Sequence, residues 1–536
     1  MLVAAFLCGC VAPPPVDPPP PDPTPEPADP WPGGEVGRIE EGPARPCAEP
    51  RAGWDRFREE GGSRGFDEVM ASVADEAWAE GQGGTLAVAD LDGDGDDDVL
   101  LARLAAPPRL FINDGAGHFT PGPVLGSPPV AVLRPSPYGL VDLTGDGRPD
   151  VVGSLQGTMV VWRSDDDWAE PEVWWEAPES LNVPALAFGH ADEDATLDVV
   201  VVTSFGGAAE GRLEPDPVLA TRSDGFEEIA DLSTGPDGGA SSQVALFTDR
   251  DGDSDIAVFT NIHARFSAWF RRESGPLWVS DADGIGGNLS VAGMGVDSAD
   301  LNEDGALDYC VSDVGPPRCL LSDGDGGWLQ PPPGGNGLTP VTPAYPDVAT
   351  IGWSFDFADL DNDGFVDAVQ ASGPDQDYDD RGQNAFSDLL WAGLGGGEFE
   401  DVTSEAGFAE AGRSYGLATA DFDGDGWLDV LVGGPDRPPE LWMNTCGEAA
   451  WIEVELRGPP GNPAGFGARV EVVVGGRTQS RELYAVRATG QSAARLHFGL
   501  GDAEVVDELR VLWPGGGSTT ARGLGVRAVV VAHSED

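Results

Sequence analysis

A nine-residue acidic pattern recurs seven times along the chain, and few folds tolerate that. Its first copy runs Asp90-Leu91-Asp92-Gly93-Asp94-Gly95-Asp96-Asp97-Asp98. The others start at Asp142, His190, Phe247, Asp300, Asp359 and Asp421, so that successive starts lie 52, 48, 57, 53, 59 and 62 residues apart. Internal repeats of this period are the arithmetic of a propeller. Short apolar runs such as "TLAVAD" precede the loops, and runs such as "DVLLARL" and "DVVVVTS" follow them. Stretches such as "RLFINDGAGHF" and "LLWAGLGGGEF" then read as strand, Gly-rich turn, strand. About four strands per unit is the content of one blade. The expected class is all-β, a seven-bladed β-propeller followed by a small C-terminal β domain. The 76 glycines and 47 prolines agree with many turns and short strands.

Carboxylates at positions 1, 3 and 5 of a curled loop converge on one point, and glycine at position 6 allows the sharp turn. A backbone carbonyl at position 7 and an acid at position 9 complete an oxygen cage of the kind that selects Ca²⁺. In loop one these are Asp90, Asp92, Asp94, Asp96 and Asp98, and in loop two Asp142, Thr144, Asp146, Arg148 and Asp150. Loop five supplies Asp300, Asn302, Asp304, Ala306 and Asp308. Loop six has Asp359, Asp361, Asp363, Phe365 and Asp367, and loop seven Asp421, Asp423, Asp425, Trp427 and Asp429. Loop three (Asp192, Asp194, Asp198) and loop four (Asp249, Asp251, Asp255) are weaker, because His190 and Phe247 stand at position 1. Loop three also has Ala195 in place of the glycine. The expected cofactor is Ca²⁺, at about four to five ions per chain. An EF-hand would need Glu at position 12, where the five best loops have Leu101, Gly153, Val311, Gln370 and Val432. A solvated Asp/Gly turn without an ion is the competing reading. Seven copies in register, each acidic at position 9, weigh against it.

The 93 acids against 30 bases give a net charge of −63, which excludes nucleic acid and anionic lipid as partners and suits cations. Residues 1–10 read as a signal peptide ending in Leu7-Cys8-Gly9-Cys10, which resembles a bacterial lipobox with Cys10 as the lipidated residue. No Lys or Arg precedes the apolar run, which departs from that pattern. The expectation is an exported lipoprotein, at the outer membrane or cell surface or secreted, touching the membrane only through this anchor. Residues 11–46 read as a Pro-rich spacer, 47–447 as the propeller and 448–536 as the C-terminal domain. Ala52 to Ala79 would hold either the strand that closes the propeller or a short helix at "FDEVMASVADEAWA". Removal of Cys8 and lipidation of Cys10 leave Cys47, Cys310, Cys319 and Cys446, an even number that suits disulfides in an exported chain. Cys310 and Cys319 flank a hairpin-like turn, which would leave Cys47 with Cys446, although three pairings are open.

The loops resemble the FG-GAP/VCBS repeats of integrin-α-like propellers. The tail resembles the ASPIC/UnbV domain of the cartilage acidic protein family and its bacterial relatives. The second resemblance rests on Gly465-Phe466-Gly467-Ala468-Arg469-Val470, His497-Phe498-Gly499-Leu500-Gly501 and Val511-Leu512-Trp513-Pro514. It implies architecture more than biochemistry. No catalytic motif stands out, and a lone His497 reads as structural. The expected function is a calcium-stabilised, lipid-anchored adhesion or binding module for protein or glycan. The alternative is a calcium-dependent polysaccharide lyase or hydrolase on a propeller scaffold.

Overall fold

The computed structural model describes residues 34–66, 85–103, 106–128, 137–177, 181–192, 194–204, 215–232, 242–249, 255–260, 268–274, 277–280, 287, 289–324, 327–339, 351–373, 387–408, 414–434, 438–487 and 489–534. Seven antiparallel sheets follow one another in the chain, and each repeat supplies one. The inner strands are Leu86–Ala89, Tyr138–Val141, Asn182–Gly189, Ser242–Thr248, Val296–Ala299, Ile351–Ala358 and Gly416–Ala420. Each touches the next, and the last touches the first, so the ring closes. The second strand of every sheet starts on the position-9 aspartate, from Asp98 in the first to Asp429 in the seventh.

The β-branched runs are buried on both faces because each sheet packs against its neighbours. Val88, Val99 and Phe111 of the first sheet meet Ala418, Leu431 and Leu441 of the seventh. Ala87, Leu100 and Leu110, whose side chains alternate with those, meet Leu140, Val151 and Val160 of the second. Strand alternation thus serves two inter-sheet cores rather than one core and solvent. The seventh sheet takes its outermost strand, Phe57–Glu59, from the N-terminal side, paired with Glu440–Asn444. That strand lies inside the segment expected to close the ring. The helix expected at 66–79 lies, apart from Phe66, outside the described residues, as do Cys8, Cys10 and the Pro-rich stretch to residue 33.

Two four-stranded sheets form the C-terminal domain. One contains Ala450–Arg457, Arg495–Gly501 and Ala528–His533; the other contains Arg469–Val474, Arg477–Glu482, Val506–Leu512 and Ser518–Leu524. The first sheet is completed by Arg38–Glu41, paired antiparallel with Ala528–His533. Part of the segment read as spacer is therefore a strand of this domain. The reason is composition: "GRIEEG" has no proline, and its strand signal is carried by a partner about 490 residues away. Cys47 is joined to Cys446 just beyond this strand, and Cys310 to Cys319 across two adjacent strands in register. No described helix is long and apolar enough to cross a membrane.

The C-terminal domain does not hang from the propeller's end. Its residues 483–487 and 489–496 enter the centre of the ring. Gly490–Gln491 pairs parallel with Leu86–Ala87, adding a strand to the inner edge of the first sheet. The Gln491 amide donates to the Leu140 carbonyl at 2.8 Å and accepts from its N–H at 2.9 Å, imitating a strand partner for the second sheet. Thr419 N donates to Ser492 Oγ and Ala493 N to Thr419 O, which does the same for the seventh. Inner-edge backbone groups that would otherwise need water are satisfied by this plug. Val486 joins Phe188 and Leu186 in a core that continues through Ile452, Phe498 and Val530.

Candidate metal loops around the C-terminal hub

The acid at position 1 curls its loop. Asp90 accepts from Gly93 N at 2.7 Å and from Gly95 N at 3.0 Å, and Asp142 accepts from Gly145 and Gly147 in the same way. Asp300, Asp359 and Asp421 each take the amide of the position-6 glycine. Those glycines have φ between +86° (Gly426) and +97° (Gly95), which a side chain would resist. The position-5 acid in turn accepts the amide of position 7, as in Asp363 from Phe365 and Asp425 from Trp427. The backbone amides therefore set the carboxylates facing one another.

Ligand-capable oxygens come within 4.8 Å of one another in Asp90/Asp92/Asp94, Asp192/Asp194/Asp198, Asp359/Asp361/Asp367 and Asp421/Asp423/Asp425. Loops two and five keep their other acids but have Thr144 and Asn302 at position 3. Asn302 donates its amide to the Ser322 carbonyl and turns its oxygen into the loop, where it accepts from Asp304 N at 3.1 Å. Burial, followed by the neighbouring acids, pushes the Asp359 and Asp421 carboxyls well up, and pushes Asp363 up to about 6. Burial also raises Asp425 to about 7 and Asp300 to about 6. Asp359 Oδ1 and Asp423 Oδ1 are buried without any hydrogen-bond donor. Crowded, desolvated carboxylates with orphaned oxygens fit a hard divalent cation with oxygen ligands, and Ca²⁺ best. Asp90, Asp92, Asp94 and Asp361 belong to these converging groups, with Asp363 beside them in loop six, and Asp96, Arg148, Ala306, Phe365 and Trp427 occupy position 7, whose carbonyls would complete an ion's shell.

The uniform acid at position 9 has a cause of its own. Asp98 accepts from Leu91 N inside its loop and from Asn113 N on the third strand of its sheet, both at 2.8 Å. Asp150 holds Leu143 and Ser164, Asp198 holds Ala191 and Thr221, and Asp308 holds Leu301 and Ser322. Asp367 holds Leu360 and Gly393, and Asp429 holds Phe422 and Asn444. These six carboxylates are 0–1% exposed. Each ties its loop to the end of the third strand of its sheet or, for Asp150, to Ser164 just past that strand, a role that spacing alone does not separate from ligation.

Every loop abuts the C-terminal domain, which acts as a hub. Arg495, Arg469 and Arg477 each donate to the carbonyl of a position-6 glycine, in Gly95, Gly305 and Gly364 respectively. Gly426 of loop seven lies so close to the Trp451 ring that a Cβ there would meet it at 1.9 Å. Pro460 lies over Gly145 of loop two, Leu197 N of loop three donates to Gly461 O, and Asp249 N of loop four donates to Glu482 Oε1. In the channel, Arg487 Nη1 bridges Asp297 Oδ2 (2.6 Å) and Asp356 Oδ1 (2.8 Å). His497 bonds Asn362 Oδ1 and stacks on Trp451, and burial with Arg481 nearby pushes its pKa down to about 3. It is a neutral packing residue, as the lone histidine implied. No periodic motif marks these hub arginines, which is why sequence reading passed over them.

Loop four is only partly visible: Asp251 lies outside the described residues, as does the side chain of Asp255, and Asp249 is buried. At the seam between loop three and the hub is a cavity of about 420 Å³, lined by His190, Asp192, Asp194, Asn462 and Trp513 among others.

Residues 458–536 match the family model for ASPIC and UnbV, and residues 90–153 and 380–432 match that for an FG-GAP-like repeat. No curated protein matches the chain. Among solved structures, an Agrocybe aegerita lectin that recognises non-reducing terminal N-acetylglucosamine aligns over 62% of this chain and 84% of its own, at 16% identity and TM-score 0.40. The BP39L lectin from Burkholderia pseudomallei aligns over 68% of this chain and 97% of its own, at 15% identity and TM-score 0.41. Likeness at this level carries no argument about function.

Proposed function

From a chain that carries FG-GAP-like repeats and a C-terminal ASPIC/UnbV domain, we propose a calcium-stabilised binding module. It is exported, held at a bacterial outer surface through lipid on Cys10, and recognises protein or glycan. The observation that carries the calcium reading is the pair of buried carboxylate oxygens with no donor, Asp359 Oδ1 and Asp423 Oδ1, inside converging acid loops. In this reading the ions are structural. Each would neutralise one loop and hold it in the shape that the hub grips.

The channel favours binding over catalysis. The hub fills it, and the carboxylates of Asp297 and Asp356 are spent on Arg487. Recognition then falls to the outer surface. The seam cavity beside Asn462 and Trp513 has the size of a small-ligand site. The experiment is a screen of the purified full chain on glycan and surface-protein arrays, in calcium and in EDTA. A specific ligand retained in calcium and weakened in EDTA is expected. No ligand under either condition would count against the proposal.

A further inference from the structure

Loop three differs from the other described loops in one respect that its sequence alone does not show: its acids at positions 3 and 5 are already ion-paired with an arginine. Arg222, the last residue of the strand Asp216–Arg222, places Nη2 at 3.0 Å from Asp192 Oδ2 and Nη1 at 3.3 Å from Asp194 Oδ2. Its Nε is held by Glu227 Oε2 at 2.9 Å, which fixes the guanidinium fork.

The remaining oxygens of the loop are also taken. Asp192 Oδ1 accepts from Asp194 N, and Asp194 Oδ1 from Thr196 N, each at 2.9 Å. Asp198 accepts from Ala191 N and Thr221 N. The position-7 carbonyl, Thr196 O, accepts from His190 Nδ1 at 3.1 Å, while Asn462 Nδ2 donates to His190 Nε2. Every oxygen that would ligate an ion therefore has a protein donor, whereas loops six and seven keep orphaned oxygens. The register is informative. Arg222 follows Thr221, the residue stapled by Asp198. The residues that follow the stapled position in the other described loops are Asp114, Asp165, Asp323, Leu394 and Thr445, none of them a cation.

We propose that Arg222 is the resident cation of loop three and excludes calcium from it, with His190 occupying the position-7 carbonyl. The three changes in this repeat, to His190, Ala195 and Arg222, then form one conversion from an ion-held loop to an arginine-held loop. This rests on the calcium reading of the remaining loops.

The test counts calcium per full-length chain by plasma mass spectrometry after equilibrium dialysis. It compares the native protein with D361N in loop six, D192N in loop three, R222Q, and R222Q/D192N. D361N is expected to lose one ion, D192N none, and R222Q to gain one that R222Q/D192N lacks. Loss of an ion in D192N would overturn the proposal, and this arm stands even if R222Q fails to fold. A folded R222Q that gains nothing would also overturn it. A native protein with no ions, matched by D361N, would mean that the calcium reading itself fails and takes the proposal with it. A D192N loss alongside a D361N loss refutes the Arg222 role alone.

Discussion

Replacing Arg487 by methionine tests whether the hub occupies the channel as described. The guanidinium bridges Asp297 and Asp356, whose side chains are only 2% and 4% exposed. Methionine keeps much of the length and removes the charge. Asp297 would retain the amides of Ser298 and Phe357, and Asp356 Oδ2 the hydroxyls of Thr419 and Ser492. Asp356 Oδ1 would keep no ion-pair partner. Leaving buried charge uncompensated costs about 3–5 kcal/mol. The loss depends on pH. Burial already pushes Asp297 up to about 7 although Arg487 pulls it down, so in the variant the Asp297 carboxyl rises further. A raised carboxyl contributes its stability below the unfolded value near ~3.9 and loses it as pH climbs through the folded value. The cost of R487M is therefore largest at pH 8 and smaller at pH 5.5, by roughly 1.4 kcal/mol per pH unit over which a proton is retained. Urea unfolding followed by tryptophan fluorescence, in saturating calcium with disulfides intact, reads both values. An unchanged midpoint at pH 8, or a greater loss at pH 5.5, would refute the reasoning. The double variant D297N/R487M should recover part of the loss, because one of the stranded charges is gone.

Asp308→Ala should cost about 2–4 kcal/mol in EDTA as well as in calcium, because it strips acceptors from the amides of Leu301, Asn302 and Ser322. Asp304→Ala should destabilise chiefly in calcium, and thermal scans of both variants with and without EDTA separate staple from ligand. Asp216, bonded to Thr203 and Ser242, is pushed by burial to about 7, so the native fold loses its contribution as pH rises from about 4 through 7. Asp216→Asn should flatten that part of the profile in denaturant midpoints at pH 5.5 and 8, and an unaltered slope would contradict it. The double variant C47S/C446S should lower stability by about 2–5 kcal/mol, since the bridge closes a loop 399 residues long in sequence; equal midpoints with and without it would show that the strand Arg38–Glu41 alone holds the N-terminal segment.

The sequence by itself determined the ring. A repeat is local: spacing of Asp and Gly fixes each turn, alternation fixes each strand, and seven copies have to stack to bury two faces apiece. The convergence of Asp421, Asp423 and Asp425 could be read from spacing in the same way. Only tertiary structure decided where the tail goes. Gln491 meets Leu140 from 351 residues away, and Arg495 meets Gly95 from 400. Such partners are backbone amides and carbonyls, which look alike at every residue and leave no pattern to read. For the same reason, the second task of the aspartate at position 9, holding backbone amides of its own loop and at the end of the third strand, could not be read from its spacing. Arg222 looked like an ordinary strand end until the register set its guanidinium between Asp192 and Asp194. Periodicity reports what each repeat does for itself. What one repeat or domain does for another depends on proximity, and only the folded chain supplies that.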